Sequence, residues 1–158
     1  MTQVTGYTKL QIRLHWAIAA LVLFNFIFGE TIGEAFDAIL EGGTAPGAGH
    51  YLHIGVGFAV AALTLVRIAV RLISGAPAAG PTPGDKGAAA LQGVLYLLTL
   101  LVPVLGSVAW FTLNESVGDI HALLANVIIG LALLHSLAAL FHQFVLKDGL
   151  LWRMVRAR

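Results

Sequence analysis

The sequence predicts an all-α integral membrane protein: a four-helix antiparallel bundle with both termini cytoplasmic. Three observations predict it. Of 158 residues, 58% are hydrophobic and 11% charged, with a mean hydropathy of +0.88. A soluble domain carries about a quarter charged residues. Four apolar stretches each approach the roughly 20 residues that cross a bilayer as a helix. All nine Lys and Arg residues fall at one end of those stretches. This composition excludes a disordered chain, a nucleic-acid binder and an ordinary soluble enzyme.

The stretches run over about residues 12–29, 51–73, 88–111 and 121–146. In lipid a backbone must satisfy its own hydrogen bonds, so each is read as a helix. The first is read as a retained span and not a cleaved signal peptide. Arg13, His15 and Trp16 stand at its start, and no A-x-A site follows it. Pro103 is expected to kink the third helix without ending it. Residues 30–50 read as an acidic, Gly-rich loop, residues 74–87 as a Pro/Gly loop, and residues 112–120 as a short polar turn. Connections this short make consecutive helices antiparallel neighbours. Residues 1–158 are read as a single membrane domain, with no clear repeat. The tail KDGLLWRMVRAR mixes Leu150, Leu151, Trp152 and Val155 with basic residues, and is expected to lie along the inner membrane surface.

Charge sets the orientation. Lys9 and Arg13 precede the first span. Arg67, Arg71 and Lys86 lie at the end of the second span and in the loop after it. Lys147, Arg153, Arg156 and Arg158 follow the fourth. The positive-inside rule makes that side, with both termini, cytoplasmic. Glu30, Glu34, Asp37, Glu41, Glu115 and Asp119 fall on the opposite side. The net charge of +1 is the sum of a basic inner face and an acidic outer one.

Cysteine is absent, which removes disulfides, thiolate metal sites and covalent haem attachment at C-x-x-C-H. Any metal or haem depends on other side chains, and six histidines are available. Histidine is costly inside a membrane span. His121 and His135 are fourteen positions apart on the fourth span. That is nearly four turns, so both rings leave almost the same face, roughly 21 Å apart along the axis. His15 starts the first span at inner depth, and His53 starts the second at outer depth. The result is two pairs at two levels: His15 with His135 inside, His53 with His121 outside. Two neutral imidazoles facing across a bundle form a bis-histidine site for haem iron. Two such sites stacked across the membrane form an electron path. Taken singly, His53, His121 and His15 fit an interfacial role as well. His135, deep in IIGLALLHSLAALF, carries more weight.

Other residues fit around these pairs. Arg67 lies fourteen positions after His53, at the inner level, where it is a candidate partner for a haem propionate. Snorkelling to the inner headgroups is its alternative, and that of Arg71. Gly29 and Gly57 leave room for a macrocycle at the outer level. Gly130 points away from the histidine face, which suggests helix packing. His50 is expected to be a solvated loop residue. His142 is two turns closer to the cytoplasm than His135. It is a candidate quinone or propionate contact, or a substitute for His135, against an interfacial role. Arg13 and Lys147 are further candidate quinone contacts. Trp16, Trp152, Tyr51 and Trp110 read as bilayer anchors. No nucleophile–base pair, phosphate loop or carboxylate pair stands out.

At this point the chain resembles the bacterial cytochrome b-561 family, specifically its small four-helix, di-haem members. The resemblance is carried by Q-I-R-L-H-W around His15, Y-L-H-I-G around His53, H-A-L-L-A-N at His121, and L-L-H-S-L-A-A-L-F-H at His135. K-D-G-L-L-W-R-M follows. It covers essentially the whole chain, and the fourth-span and tail segments are the most specific. The resemblance implies that His15, His53, His121 and His135 ligate two haem b groups that exchange electrons with ubiquinone. One branch oxidises superoxide at the outer surface. Related proteins serve as cytochrome b subunits of dehydrogenases or hydrogenases. Members near this branch often carry His early in the third span, where this chain has Gln92.

The expected function is electron transfer between a periplasmic donor and the ubiquinone pool. The rival is an electron-relay anchor for a periplasmic dehydrogenase or hydrogenase subunit, with no substrate of its own. A histidine-lined metal transporter is a third class. The outer face carries six acids and no Lys or Arg. It should repel anionic superoxide and favour a cationic donor such as a basic periplasmic redox protein.

Overall fold

A computed structural model describes residues 6–77 and 82–157. Residues 78–81 of the expected Pro/Gly loop, and Arg158 of the basic tail, lie outside the described residues. Helix α1 spans Lys9–Ile27, α2 Glu30–Leu40, α3 Gly49–Ser74, α4 Pro83–Thr112 and α5 Glu115–Phe141. A π-helical turn, His142–Leu146, continues α5, and a 3-10 turn, Leu150–Met154, follows it.

The helix starts are written in the sequence. Thr8 caps α1 by accepting the Gln11 backbone N–H, and the Gln11 side chain accepts the Thr8 N–H at 2.8 Å in return. Thr82 and Asp85 form the same reciprocal box at the start of α4. Asn114 caps α5 by accepting the Val117 N–H at 3.1 Å. Each cap satisfies backbone donors that have no intrahelical partner. Helix α4 runs on through Pro103 to Thr112, as expected of a proline inside a membrane span.

Helices α1, α3, α4 and α5 are long and apolar enough to cross a membrane. The chain is a multi-pass membrane protein. Around the bundle α1 packs on α3, α3 on α4, and α4 on α5; α1 touches α5 to close the ring. The surface is strongly apolar: Leu72 and Ile73 are 80% and 85% exposed. Side chains of this kind face acyl chains at no cost, whereas water would penalise them. The buried core is small. Leu98, Val102 and Ile128 form it, packed by Val22, Leu124, Ala125 and Leu131. Ile128 lies seven positions from both His121 and His135, so the core is a septum at mid-depth.

Two connections differ from expectation. The acidic segment after the first span contains α2, an amphipathic helix with Ile32, Ala35, Phe36, Ile39 and Leu40 at helical spacing. Ala35 is fully buried, and the Phe36 ring stands 6.2 Å from that of Trp110. This helix roofs the acidic end of the bundle. Its acids hid the apolar stripe. The turn before α5 is also shorter than residues 112–120, because Glu115 already opens the helix. The polar first turn of α5 is helical although it is not hydrophobic.

The tail folds back onto the bundle. Trp16 donates its indole N–H to the Met154 carbonyl at 3.0 Å, which joins α1 to the 3-10 turn. Trp16 is otherwise half exposed.

Candidate functional site

Helix α5 carries one histidine near each end of the bundle, and each meets a histidine from another helix. At the basic end the His15 and His135 ring centroids are 6.3 Å apart, with ring planes at 71°. At the acidic end His53 and His121 are 6.1 Å apart, at 73°. The two pairs are near copies of one another. Two metal–imidazole bonds of about 2 Å each, plus roughly 1 Å from each nitrogen to its ring centre, sum to about 6 Å. Both spacings therefore suit one metal ion between two axial imidazoles. Among the described residues, no three His, Cys, Asp or Glu side chains cluster as a metal-binding group. A bare zinc ion wants four ligands. A haem supplies four equatorial nitrogens and needs only two from the protein.

The acidic-end pair borders a cavity. Its volume is about 470 Å³, and its lining contains His53 and His121, together with Gly29, Gly57 and Gly106. The His121 Nδ1 lies 2.8 Å from the Val102 carbonyl oxygen. A carbonyl only accepts, so Nδ1 carries the proton and Nε2 keeps the lone pair that a metal requires. The His53 Nδ1 is buried without a hydrogen-bond partner, as is Asn25 Oδ1. Asn25 also donates to the His53 carbonyl at 3.0 Å, which ties α1 to the turn carrying that ring.

At the basic end, Arg67 of α3 reaches the α1 turn that precedes His15. Its Nε donates to the Tyr96 hydroxyl at 2.8 Å and its Nη1 to the Gln11 carbonyl at 3.0 Å. Among the described residues the one ion pair is His142 with Asp148, so Arg67 has no carboxylate. A half-buried guanidinium without an anion is costly, and a bound anion would relieve it. The head group is tied to α4 and α1 by these two bonds.

The remaining candidates are not gathered into one site. The His142 Nδ1 lies 2.6 Å from Asp148 Oδ2 and is about one-third exposed. It is tied to the tail, which argues against its replacing His135 as the partner of His15. Arg13 and Lys147 are exposed at the same end. Lys147 takes a left-handed backbone, with φ of 56°, where the π-helical turn stops.

Two expectations are corrected. His50 is not solvated. It is 4% exposed, stacks on Trp110 at 5.3 Å and 22°, and has its Nδ1 buried without a partner. Folding α2 over the end of the bundle buries it. Gly130 does not serve helix packing, since nothing lies within 4 Å of where its Cβ would be. The glycine that matters is Gly106, where a Cβ would lie 2.8 Å from the His121 ring. Sequence reading missed Gly106, Asn25, Tyr96 and Gln11. For Gly106 a signal existed: a glycine one turn after Pro103, in a span otherwise rich in large apolar residues.

A membrane helical bundle with histidine pairs stacked at two depths is the architecture of a b-type cytochrome. Comparison with known proteins agrees. The family described as prokaryotic cytochrome b561 matches residues 6–157. The chain belongs to that family, and membership implies haem b binding and electron transfer. It is 60% identical over its whole length, and that of the relative, to "Cytochrome b562" of Cereibacter sphaeroides. It is 30% identical to "Probable superoxide oxidase CybB" of Yersinia pestis, over 94% of this chain and 95% of the relative. A further relative is "Cytochrome b561 homolog 1" of Escherichia coli, 27% identical over 96% and 98%.

Proposed function

We propose that this chain is a di-haem b cytochrome of the bacterial inner membrane, carrying electrons between a periplasmic donor and ubiquinone. The observation that carries the reading is the pair of near-identical histidine couples, at 6.3 and 6.1 Å, on opposite sides of the apolar septum. His15 and His135 would hold the inner haem, and His53 and His121 the outer one. When bound, each haem supplies reversible one-electron chemistry at its iron.

The protein's own groups do the rest. His121 is held in its metal-binding tautomer by the Val102 carbonyl. Arg67 offers a cation to a propionate of the inner haem. The apolar septum keeps water out of the space between the levels. The charge asymmetry supports both termini being cytoplasmic. The residue set nominated for quinone is Arg13, His142 and Lys147, at the basic end near the inner pair. The Asp148 contact engages the His142 Nδ1 and leaves Nε2 to face a ligand.

The donor is less anionic than superoxide in this reading. The acidic end carries six acids and no Lys or Arg, which favours a cationic redox protein. The same feature supports the second reading, a relay subunit for a periplasmic dehydrogenase or hydrogenase. The optical spectrum of the purified protein, with a pyridine haemochrome count, tests the core of the proposal. Two b-type haems per chain are expected, and a colourless protein would remove it. Turnover of superoxide with a quinone by the protein alone would favour an enzyme, and inertness the relay.

A further inference from the structure

The guanidinium of Arg67 is held from two sides, by groups on two different helices. Tyr96 on α4 accepts from its Nε, and the Gln11 carbonyl on α1 accepts from its Nη1. Its carbon also stands 5.7 Å from the Tyr96 ring centre, within cation–π range. The Gln11 carbonyl is the intrahelical acceptor four residues before His15. Arg67 therefore touches the turn that aims the His15 ring. Gln11 is 3% exposed and is itself fixed. Its side chain donates to the Gly75 carbonyl at 2.8 Å and accepts the Thr8 N–H at 2.8 Å. A free arginine at this depth would extend towards the headgroups. Two acceptors on two helices hold it against that tendency, while three of its five N–H donors stay uncommitted.

We infer that Tyr96, with Gln11, is a positioning residue that holds Arg67 at the inner histidine pair and thereby sets the reduction potential of the haem bound there. This rests on the di-haem reading above. A fixed cation beside a haem favours the ferrous state, which carries one positive charge fewer than the ferric. One electron enters the iron and none leaves the arginine, so the effect is electrostatic and reversible. Removing the Tyr96 hydroxyl deletes one acceptor and weakens the aromatic face's hold. Arg67 then moves towards the membrane surface and the potential falls.

The experiment is a redox titration of the holoprotein in nanodiscs, with Tyr96→Phe, Arg67→Met and the double variant. Tyr96→Phe should keep two haems and lower the inner reduction equilibrium constant about tenfold, which is about 59 mV for one electron. The outer midpoint should not move. Arg67→Met should give an equal or larger fall. In the Arg67→Met background, Tyr96→Phe should add nothing, because Tyr96 acts through Arg67. Equal shifts at both haems, no shift, or a full Tyr96→Phe shift in the double variant would each overturn the inference. If wild-type protein lacked two haems, the di-haem reading would fail first, and that result is read separately from the spectrum. Should Tyr96→Phe lose haem by misfolding, Tyr96→His, which keeps an aromatic acceptor, should restore the haem count and most of the inner midpoint. A misfolded Phe variant without that rescue would count against a positioning role.

Discussion

Gly106 on α4 and the His121 ring on α5 are packed so closely that a methyl group at position 106 would lie 2.8 Å from the imidazole. The ring has little freedom to retreat, because its Nδ1 is bonded to the Val102 carbonyl. Gly106→Ala should break that bond or turn the ring, and the acidic-end site should lose its haem or bind it weakly. The haem count should fall from two towards one, while the basic-end haem keeps its spectrum. Two haems with unaltered low-spin signals would show that the ring tolerates the methyl group.

Independent ligand pairs predict independent losses. His135→Ala removes one partner of His15 and leaves the His53–His121 couple, 6.1 Å apart, untouched. One haem per chain should remain. His53→Ala should give the complementary loss at the acidic end. Haemochrome counts with low-temperature spectra check this, and retention of two haems in His135→Ala would sink the ligand assignment.

Much of this was legible in the sequence because membrane physics leaves few choices. Apolar length gave the spans, the basic residues gave one common end, and a spacing of fourteen put His121 and His135 on one face. The structure brings those rings to His53 and His15. What was hidden depends on tertiary contact. Helix α2 was masked by Glu30, Glu34, Asp37 and Glu41, whose charge outweighed a short apolar stripe. His50 reads as a loop residue until Trp110 stacks on it. Tyr96 and Gln11 gain meaning only when α1, α3 and α4 meet at Arg67, over sequence separations of 29 and 56 residues. No local pattern encodes those meetings.

The tail should be sensitive to acid. The His142 side chain, bonded at 2.6 Å, and then the Leu150 backbone N–H hold the Asp148 carboxyl below its usual range. A depressed folded-state pKa contributes fully above the unfolded value of about 3.9 and is lost as pH falls through the lower folded value. Amide exchange across residues 150–156, corrected for its intrinsic pH dependence, should therefore lose the contribution of the Asp148 carboxylate only below about pH 4. Asp148→Asn should loosen the tail throughout and raise the exposure of Trp152. Protection that faded in step with ordinary carboxylate titration would contradict the assigned contact.

Charge at the acidic end should govern which donors react. Asp37, Glu115 and Asp119 help line the cavity that holds His53 and His121, and that end carries no Lys or Arg. Such a field raises the encounter rate of cations and lowers that of anions. Haem reduction by a basic c-type cytochrome should slow as salt rises and the Debye length shrinks from about 30 Å to about 3 Å. Reduction by superoxide should quicken over the same range. Replacing Asp37 and Asp119 with Asn and Glu115 with Gln should cut the rate with the basic donor about tenfold at low salt and flatten its salt dependence. Stopped-flow absorbance at the haem band measures all of these. A superoxide rate that fell with salt would mean that the anion is steered in by groups other than these carboxylates, and the cationic-donor reading would be lost.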